Sequence, residues 1–236
     1  MIRKIHYLCS ILACVATLPA CAASPLYYSA DAIEAQVIDA ETKQPLEGVI
    51  VTANWQLFHS TVGGRVPGDQ LMVLEAVTAK DGKFTFFAWG PKLALSGYLD
   101  NRDPQLLLFK PGYEYKRLMN QVSSKTNMAS VRRSQWNGKT IELKKFKGTI
   151  QAYEDHFESL NNDLEHIAAD NPEECGWRKI PDTIRAMNRE RNRLVALGVN
   201  PNTLSSIDNE LSMNDQFYTK KGGCGSPKEF FGGFKQ

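Results

Sequence analysis

Two hydrophobic periods divide the chain. Between residues 33 and 144 apolar positions recur at every second residue; from residue 149 onward they recur at every third or fourth. Residues 33–39 put Ile33, Ala35 and Val37 on one face. Residues 49–57 alternate more fully, with Val49, Val51, Ala53, Trp55 and Leu57 on one side and Ile50, Thr52, Asn54 and Gln56 on the other. The first set is the core face, which makes Trp55 a core residue. Residues 71–79 and 83–88 predict two further strands, joined through the tight turn Lys80-Asp81-Gly82. The run at 105–109 is apolar without alternation, the mark of a central strand covered on both faces. Pro111-Gly112 then supplies a preset φ followed by a residue that tolerates positive φ, as a type II turn requires. Segments 113–120 and 140–144 bring the expectation to about seven short strands, a two-sheet sandwich.

The second half predicts helices. Ile150, Tyr153, Phe157, Leu160, Leu164 and Ile167 form a stripe at helical spacing, ended by Asn171-Pro172. Pro181 suits a first turn, and Ile184, Met187, Leu194 and Val195 give a second, more basic helix with Gly198 as its C-terminal cap. Leu204, Ile207 and Leu211 suggest a short third helix, and 222–236 a tail whose Phe230, Phe231 and Phe234 invite docking. The stripe is expected to pack the helices on one another or on the sandwich; a coiled coil with a partner is the alternative. The fold class is therefore α+β: a seven-stranded sandwich over 33–146, then a small helical unit over 147–236.

The N-terminus changes the compartment. Arg3 and Lys4 precede an uncharged apolar run over 7–18, too short to cross about 30 Å of hydrocarbon as a helix. Residues 1–20 thus have the pattern of a secretory signal peptide, followed by a linker over 21–32. Two cleavage readings compete. Ala20-Cys21-Ala22 offers small residues to an ordinary signal peptidase. Leu18-Pro19-Ala20-Cys21 resembles the bacterial lipobox, although Pro19 departs from the residues usual there. That resemblance implies lipidation of Cys21 and a durable anchor, since two or more acyl chains hold where one does not. Ala22 in place of Asp would then favour the outer membrane of a Gram-negative envelope. A soluble periplasmic or secreted protein is the alternative. In either case Cys9 and Cys14 leave with the signal. Cys175 and Cys224 remain to form one disulfide in an oxidising compartment.

Charge then becomes informative. Arg3 and Lys4 account for the whole formal +2, so the chain beyond residue 20 is formally neutral. Nucleic-acid binding by bulk electrostatics is excluded. Chemistry is sparse. His156 and His166 stand nearly a right angle apart around a helix, and His59 is remote from both in sequence. No zincin motif, zinc-spaced cysteine pair, EF-hand loop, nucleophile elbow or phosphate-binding glycine motif occurs. No metal or cofactor is expected, and no catalytic residue.

Three segments together carry a family resemblance: 37–49 with Asp39, Pro45 and Gly48, then Asp81-Gly82-Lys83-Phe84-Thr85-Phe86, then Lys110-Pro111-Gly112-Tyr113. In this order they resemble the carboxypeptidase regulatory-like domain, over just under half the chain. The resemblance implies a transthyretin-like sandwich without catalytic activity. Residues 58–69 and 89–104 depart from it as loops longer than a minimal module needs. Other transthyretin-like sandwiches do catalyse. Yet the C-terminus lacks the tetrapeptide of hydroxyisourate hydrolases, and Tyr113 and Tyr115 lie near no histidine in sequence, unlike the iron ligands of intradiol dioxygenases. Surface recognition is left. Trp89, Tyr98 and Trp136 offer aromatic contact area, and Arg132 and Arg133 lie in a mildly basic loop suited to anionic polymers or headgroups. The expectation is a lipid-anchored binding or structural module for an envelope protein or polymer. The rival is a periplasmic enzyme with a site at the sandwich–helix junction.

Overall fold

A computed structural model of the chain describes residues 25–121, 129–168, 175–204 and 224–232. Eleven strands and four helices lie among them. The strands are β1 (Tyr27–Ala30), β2 (Ile33–Asp39), β3 (Ile50–Thr61), β4 (Gly64–Val77), β5 (Lys83–Phe86) and β6 (Trp89–Leu93). They continue with β7 (Tyr98–Leu99), β8 (Gln105–Phe109), β9 (Lys116–Leu118), β10 (Val131–Arg132) and β11 (Thr140–Leu143). The helices are α1 (Ile150–Ala168), α2 (Gly176–Lys179), α3 (Pro181–Ala196) and α4 (Pro227–Phe230).

The largest sheet runs β4-β3-β8-β9, with β7 paired to the end of β3. A second sheet, β11-β2-β5, faces it. Val37, Phe84, Phe86, Ile141 and Leu143 from one side meet Val49, Val51, Trp55, Leu106 and Leu108 from the other in one buried core. This is sandwich packing, and it follows from the alternation on β2 and β3. A third sheet, β10-β1-β6, adds Tyr28 and Ala30 to the same core.

The opposite face of β3 and β8 is buried as well. Ile50, Leu107 and Phe109 point away from the sandwich and join Tyr153, Phe157, Leu160, Ile184 and Leu194 in a second core. The unbroken Leu106–Phe109 run is thereby explained. Leu106 and Leu108 serve the sheets; Leu107 and Phe109 serve the helices. The molecule has three layers, and the helical stripe packs onto the sandwich.

The turns follow their chemistry. Gly112 has φ of 78°, and Tyr113 N donates to the Lys110 carbonyl at 3.0 Å, closing the turn that Pro111-Gly112 predicts. A side chain at Gly82 would begin 2.4 Å from the Val37 carbonyl oxygen, so only glycine fits beside β2 there. At the end of α3, Gly198 N donates to Val195 O and Val199 N to Leu194 O, with φ of 93° at Gly198. That is a Schellman cap.

Other expectations require correction. The strand count is eleven among the described residues, not seven. Residues 58–69 are not a loop: β3 continues to Thr61 and pairs with β4 from Gly64, Thr61 opposite Gly64 and Phe58 opposite Pro67. Pro67 is tolerated because β4 is the edge of its sheet, where a missing donor costs least. Segment 89–104 contains β6 and β7, and the expected linker contains β1. The expected third helix lies largely outside the described residues, though Leu204 is buried in the helical core. Cys175 and Cys224 are bonded, 5.5 Å apart at Cα, across 49 residues. They bring the C-terminal segment to α2, where Phe230 and Phe231 lie against Trp177 at centroid distances of 5.1 and 5.8 Å.

Two outcomes follow for stability. Phe157→Ala, which opens a void between α1 and the central sheet, is expected to cost about 3–5 kcal/mol in urea unfolding. Replacing Cys175 and Cys224 together by serine should remove up to about 4 kcal/mol, the chain-entropy value for a loop of this length. A midpoint unchanged by the double replacement would show that the bridge stabilises nothing.

Candidate functional site

Three places concentrate polar and titratable groups: the turn between β8 and β9, the start of α3, and a recess beside β10.

The turn joins sandwich and helices. Asp39 closes β2, and its Oδ1 accepts from the Glu41 and Thr42 amides at 2.8 and 2.9 Å. Its Oδ2 accepts the Tyr113 hydroxyl at 2.9 Å. The Thr42 and Glu41 amides hold the Asp39 carboxyl down to about 2. Burial, reinforced by Asp39, pushes the Tyr113 hydroxyl up to about 12. On the helical side Gly112 N donates to the Tyr153 hydroxyl at 2.9 Å, and Tyr115 N to His156 Nε2 at 2.8 Å. His156 therefore accepts through Nε2, and burial lowers its pKa in keeping with a neutral ring. Tyr115, Phe146 and Tyr153 surround that ring. Burial first, then Glu190, raises the Tyr153 pKa. Glu190 is buried and takes two hydrogen bonds from Arg193, at 2.9 and 2.7 Å. Sequence spacing sets Tyr115 far from any histidine, but folding brings His156 to it. The contact runs through a backbone amide that occupies the imidazole's acceptor nitrogen, which makes it a bracket between layers.

The second cluster caps a helix. Ile180 precedes α3 and has no side chain able to accept a bond. Glu75 of β4 takes the place of an N-cap, accepting from the Asp182 and Thr183 amides at 2.8 and 2.7 Å. Its pKa is raised by burial against the pull of these donors. Thr183 and Thr52 share a hydroxyl–hydroxyl bond of 3.1 Å beneath it.

The third place is the recess, about 300 Å³, lined by Asn101, Asp103, Asn120, Gln121, Arg132 and Arg133 among others. Arg132 is buried there. Its Nε donates to both Asp103 oxygens at 3.0 Å, its Nη2 also reaches Asp103, and further bonds go to the Ala129 and Asp100 carbonyls. Burial pushes the Asp103 carboxyl up to about 6 against the pull of Arg132, leaving the pair charged at neutral pH. Asp100 behaves differently: burial opposes ionisation, but Arg102 and Arg65 hold its carboxyl below the ordinary range. Asn120 donates to the Asp103 and Arg133 carbonyls and accepts from Gln135 N, while Gln135 holds the Met119 carbonyl and Gln121 N. These bonds stiffen a polar wall that can hydrogen-bond a small polar ligand. The described lining contains no histidine or cysteine to pair a nucleophile with a base.

The five surface residues expected from sequence are only partly brought together. Arg132 and Arg133 line the recess, the first buried and the second highly exposed and paired with Asp31. Trp136 lies outside the lining, half-buried, its indole donating to the Met119 carbonyl at 3.4 Å. Trp89 stands edge-on to Trp55 at 5.3 Å with its indole nitrogen buried, and Tyr98 sits on β7, its hydroxyl accepting from Ser60. Trp89 shares the β10-β1-β6 sheet with Arg132 but lies outside the recess lining, Tyr98 belongs to the β3 sheet, and no single aromatic platform forms from the set. Among the described residues no three His, Cys, Asp or Glu side chains gather in a metal-holding group. Sequence reasoning missed Asp103, Asn120 and Gln135, whose roles depend on partners 13 to 29 residues away.

No family model matches the chain, and no curated protein does either. Among solved structures, 3-chlorocatechol 1,2-dioxygenase from Rhodococcus opacus 1CP is 12% identical with a TM-score of 0.30, over 55% of this chain and 63% of that one. The group B streptococcus pilus 2b backbone protein is 17% identical with a TM-score of 0.24, over 49% and 41%. The major pilin SpaD of Corynebacterium diphtheriae is 15% identical with a TM-score of 0.25, over 52% and 32%. The chain spans less than two-thirds of each. Likenesses this weak assign it neither a family nor an activity.

The charge clusters generate two expectations. Asp39 has a folded pKa below its unfolded value of 3.8, so its contribution to stability is complete above about pH 4 and is lost as the pH falls toward 2. Asp39→Asn should flatten that part of the curve of urea midpoint against pH. Arg132→Met strands a buried carboxylate and should cost about 3–5 kcal/mol, much of it restored when Asp103→Leu is added. Equal losses in the single and double variants would contradict a coupled pair.

Proposed function

We propose that this chain is an exported cell-envelope protein, anchored through lipid on Cys21, whose folded part is a non-catalytic binding or structural module. The observation that carries the reading is the bond between Cys175 and Cys224. A disulfide holding the C-terminal segment to the helical layer belongs in an oxidising compartment, where the signal-like residues 1–20 would deliver the chain. The residues resembling a lipobox, Leu18-Pro19-Ala20-Cys21, make the anchor the better of the two cleavage outcomes. Carboxypeptidase regulatory-like character is part of the same proposal. Its motif residues occupy joints of the sandwich: Asp39 receives Tyr113, Gly82 abuts β2, and Gly112 makes the turn. The non-catalytic reading draws support from what the buried ionisable groups do. Asp39, Glu75, Asp103, Tyr153 and Glu190 each bind a neighbouring element or hold a charge partner within the fold.

Cell fractionation tests the proposal. The wild-type chain, expressed in a Gram-negative host, is expected in the membrane fraction, with Cys21→Ser moving it to the soluble periplasm. Equal distribution of the two would overturn the anchor. Labelling of Cys175 or Cys224 by a thiol reagent in native periplasmic protein would overturn the compartment.

A further inference from the structure

The outer face of the β10-β1-β6 sheet is apolar and uncovered. Tyr27 pairs with Leu93 directly across β1 and β6, and Ser29 pairs with Val131 across β1 and β10. Residues opposite one another, or two apart on one strand, share a face. Tyr27, Leu93 and Val131 therefore point the same way, while Tyr28, Ala30 and Arg132 point into the protein. Tyr27, Leu93 and Val131 are 53%, 44% and 41% exposed. Leu95, two residues beyond Leu93 and 82% exposed, extends the patch at one end, where the Ala94 amide donates to the Leu26 carbonyl at 2.9 Å. Four neighbouring large apolar side chains in water are more than scattered exposure accounts for.

Two further observations select what covers the patch. The first is its distance from the tether. Strand β1 begins at Tyr27, so Cys21 lies five residues before Leu26. At no more than about 3.6 Å per residue, the Cα of Cys21 stands within about 18 Å of this end of the sheet. The second is charge. Strands β1, β6 and β10 contain no Asp or Glu; Lys92 and Arg132 stand in register with Tyr28 and Ala30, away from this face, and Asp31, just beyond the far end of β1, is paired with Arg133. A small apolar face whose strands carry no acid, with a tyrosine among its members, matches the boundary between headgroups and acyl chains of a bilayer.

We propose that this face lies against the membrane that holds the anchor. The proposal rests on the lipid-anchored reading and adds an orientation to it: β1 and β6 toward the bilayer, the helical layer facing away. Each patch side chain buried in the interface adds to an attachment the acyl chains already secure. The patch therefore sets the pose of the protein, and the lipid sets its residence.

Hydrogen exchange on the whole protein tests it. Wild-type protein purified from membranes is placed in vesicles of phosphatidylethanolamine and phosphatidylglycerol and compared with Cys21→Ser protein in buffer. Amides of β1 and β6 should exchange several-fold more slowly in the vesicles, with those of α1 and α3 unchanged. Leu95→Asp together with Tyr27→Ser should abolish the difference without releasing the protein from the vesicles. Unaltered β1 and β6 exchange in membrane-bound wild type would overturn the proposal. So would concentration-dependent protection of the same strands in Cys21→Ser protein without vesicles, which would assign the face to a second copy. If the native chain proves unlipidated, protein produced without residues 1–20, so that Cys21 stands first, is coupled through that thiol to a maleimide lipid, and the same protection is expected. Its absence there would sink the orientation, separately from the anchor.

Discussion

Burial of both faces of β3 and β8 is the constraint on which the rest of the molecule depends. A strand with one wet face can stand at the surface of a two-sheet sandwich. Here Leu106 and Leu108 point one way, Leu107 and Phe109 the other, and none of the four is more than a few per cent exposed. Without α1 and α3, the side of the sheet bearing Ile50, Leu107 and Phe109 would meet water. The helices need the sheet equally, because their own apolar stripes find cover there. Each layer completes a surface that the other leaves unfinished.

The polar groups at that junction have a shared logic. Helix α3 starts where Glu75 receives its first amides, and α1 lies where Tyr153 and His156 receive the amides of Gly112 and Tyr115. Backbone donors that regular structure leaves unpaired are satisfied by side chains from the adjacent layer. Apolar contact supplies the attraction between layers, and these directional bonds fix where along the sheet the helices sit. Tyr113 extends the chain of contacts through the same turn to Asp39, on the far side of the sandwich.

Much of this was legible in the sequence where the signal is local. Alternation marks β2, β3, β5 and β11, the unbroken run marks β8, and the 3,4 spacing marks α1. Gly112 and Gly198 announce their turns because no other residue takes those φ values easily. What stayed hidden depends on distant partners. Strands β7 and β10 are two residues long, too short for any period to show, and they exist because β3 and β1 run beside them. The Gly63-Gly64-Arg65-Val66-Pro67-Gly68 stretch has the composition of a loop, yet eleven β3 residues hold it and the rest of β4 in register. The cap on α3 comes from a residue 107 positions earlier, beyond the reach of any capping motif. In the polar recess, likewise, Arg132 was visible as a surface charge, whereas its burial follows from Asp103, 29 residues away.

The parallel pairings carry a consequence of another kind. Strand β1 bonds to β10 and β2 to β11, joining Ser29 to Val131 and Val37 to Ile141. Each pair closes a loop of roughly a hundred residues, the kind of contact that forms late because its entropy must be lost before anything is gained. A ribosome adding about 5–20 residues per second takes on the order of 5–20 s to make such a stretch. For that interval β1 and β2 lack β10 and β11, although β6 and β5 emerge earlier on their other edges. Strands β1 and β2 thus precede the other strands in synthesis, and the two sheets they centre are completed only once β10 and β11 have emerged.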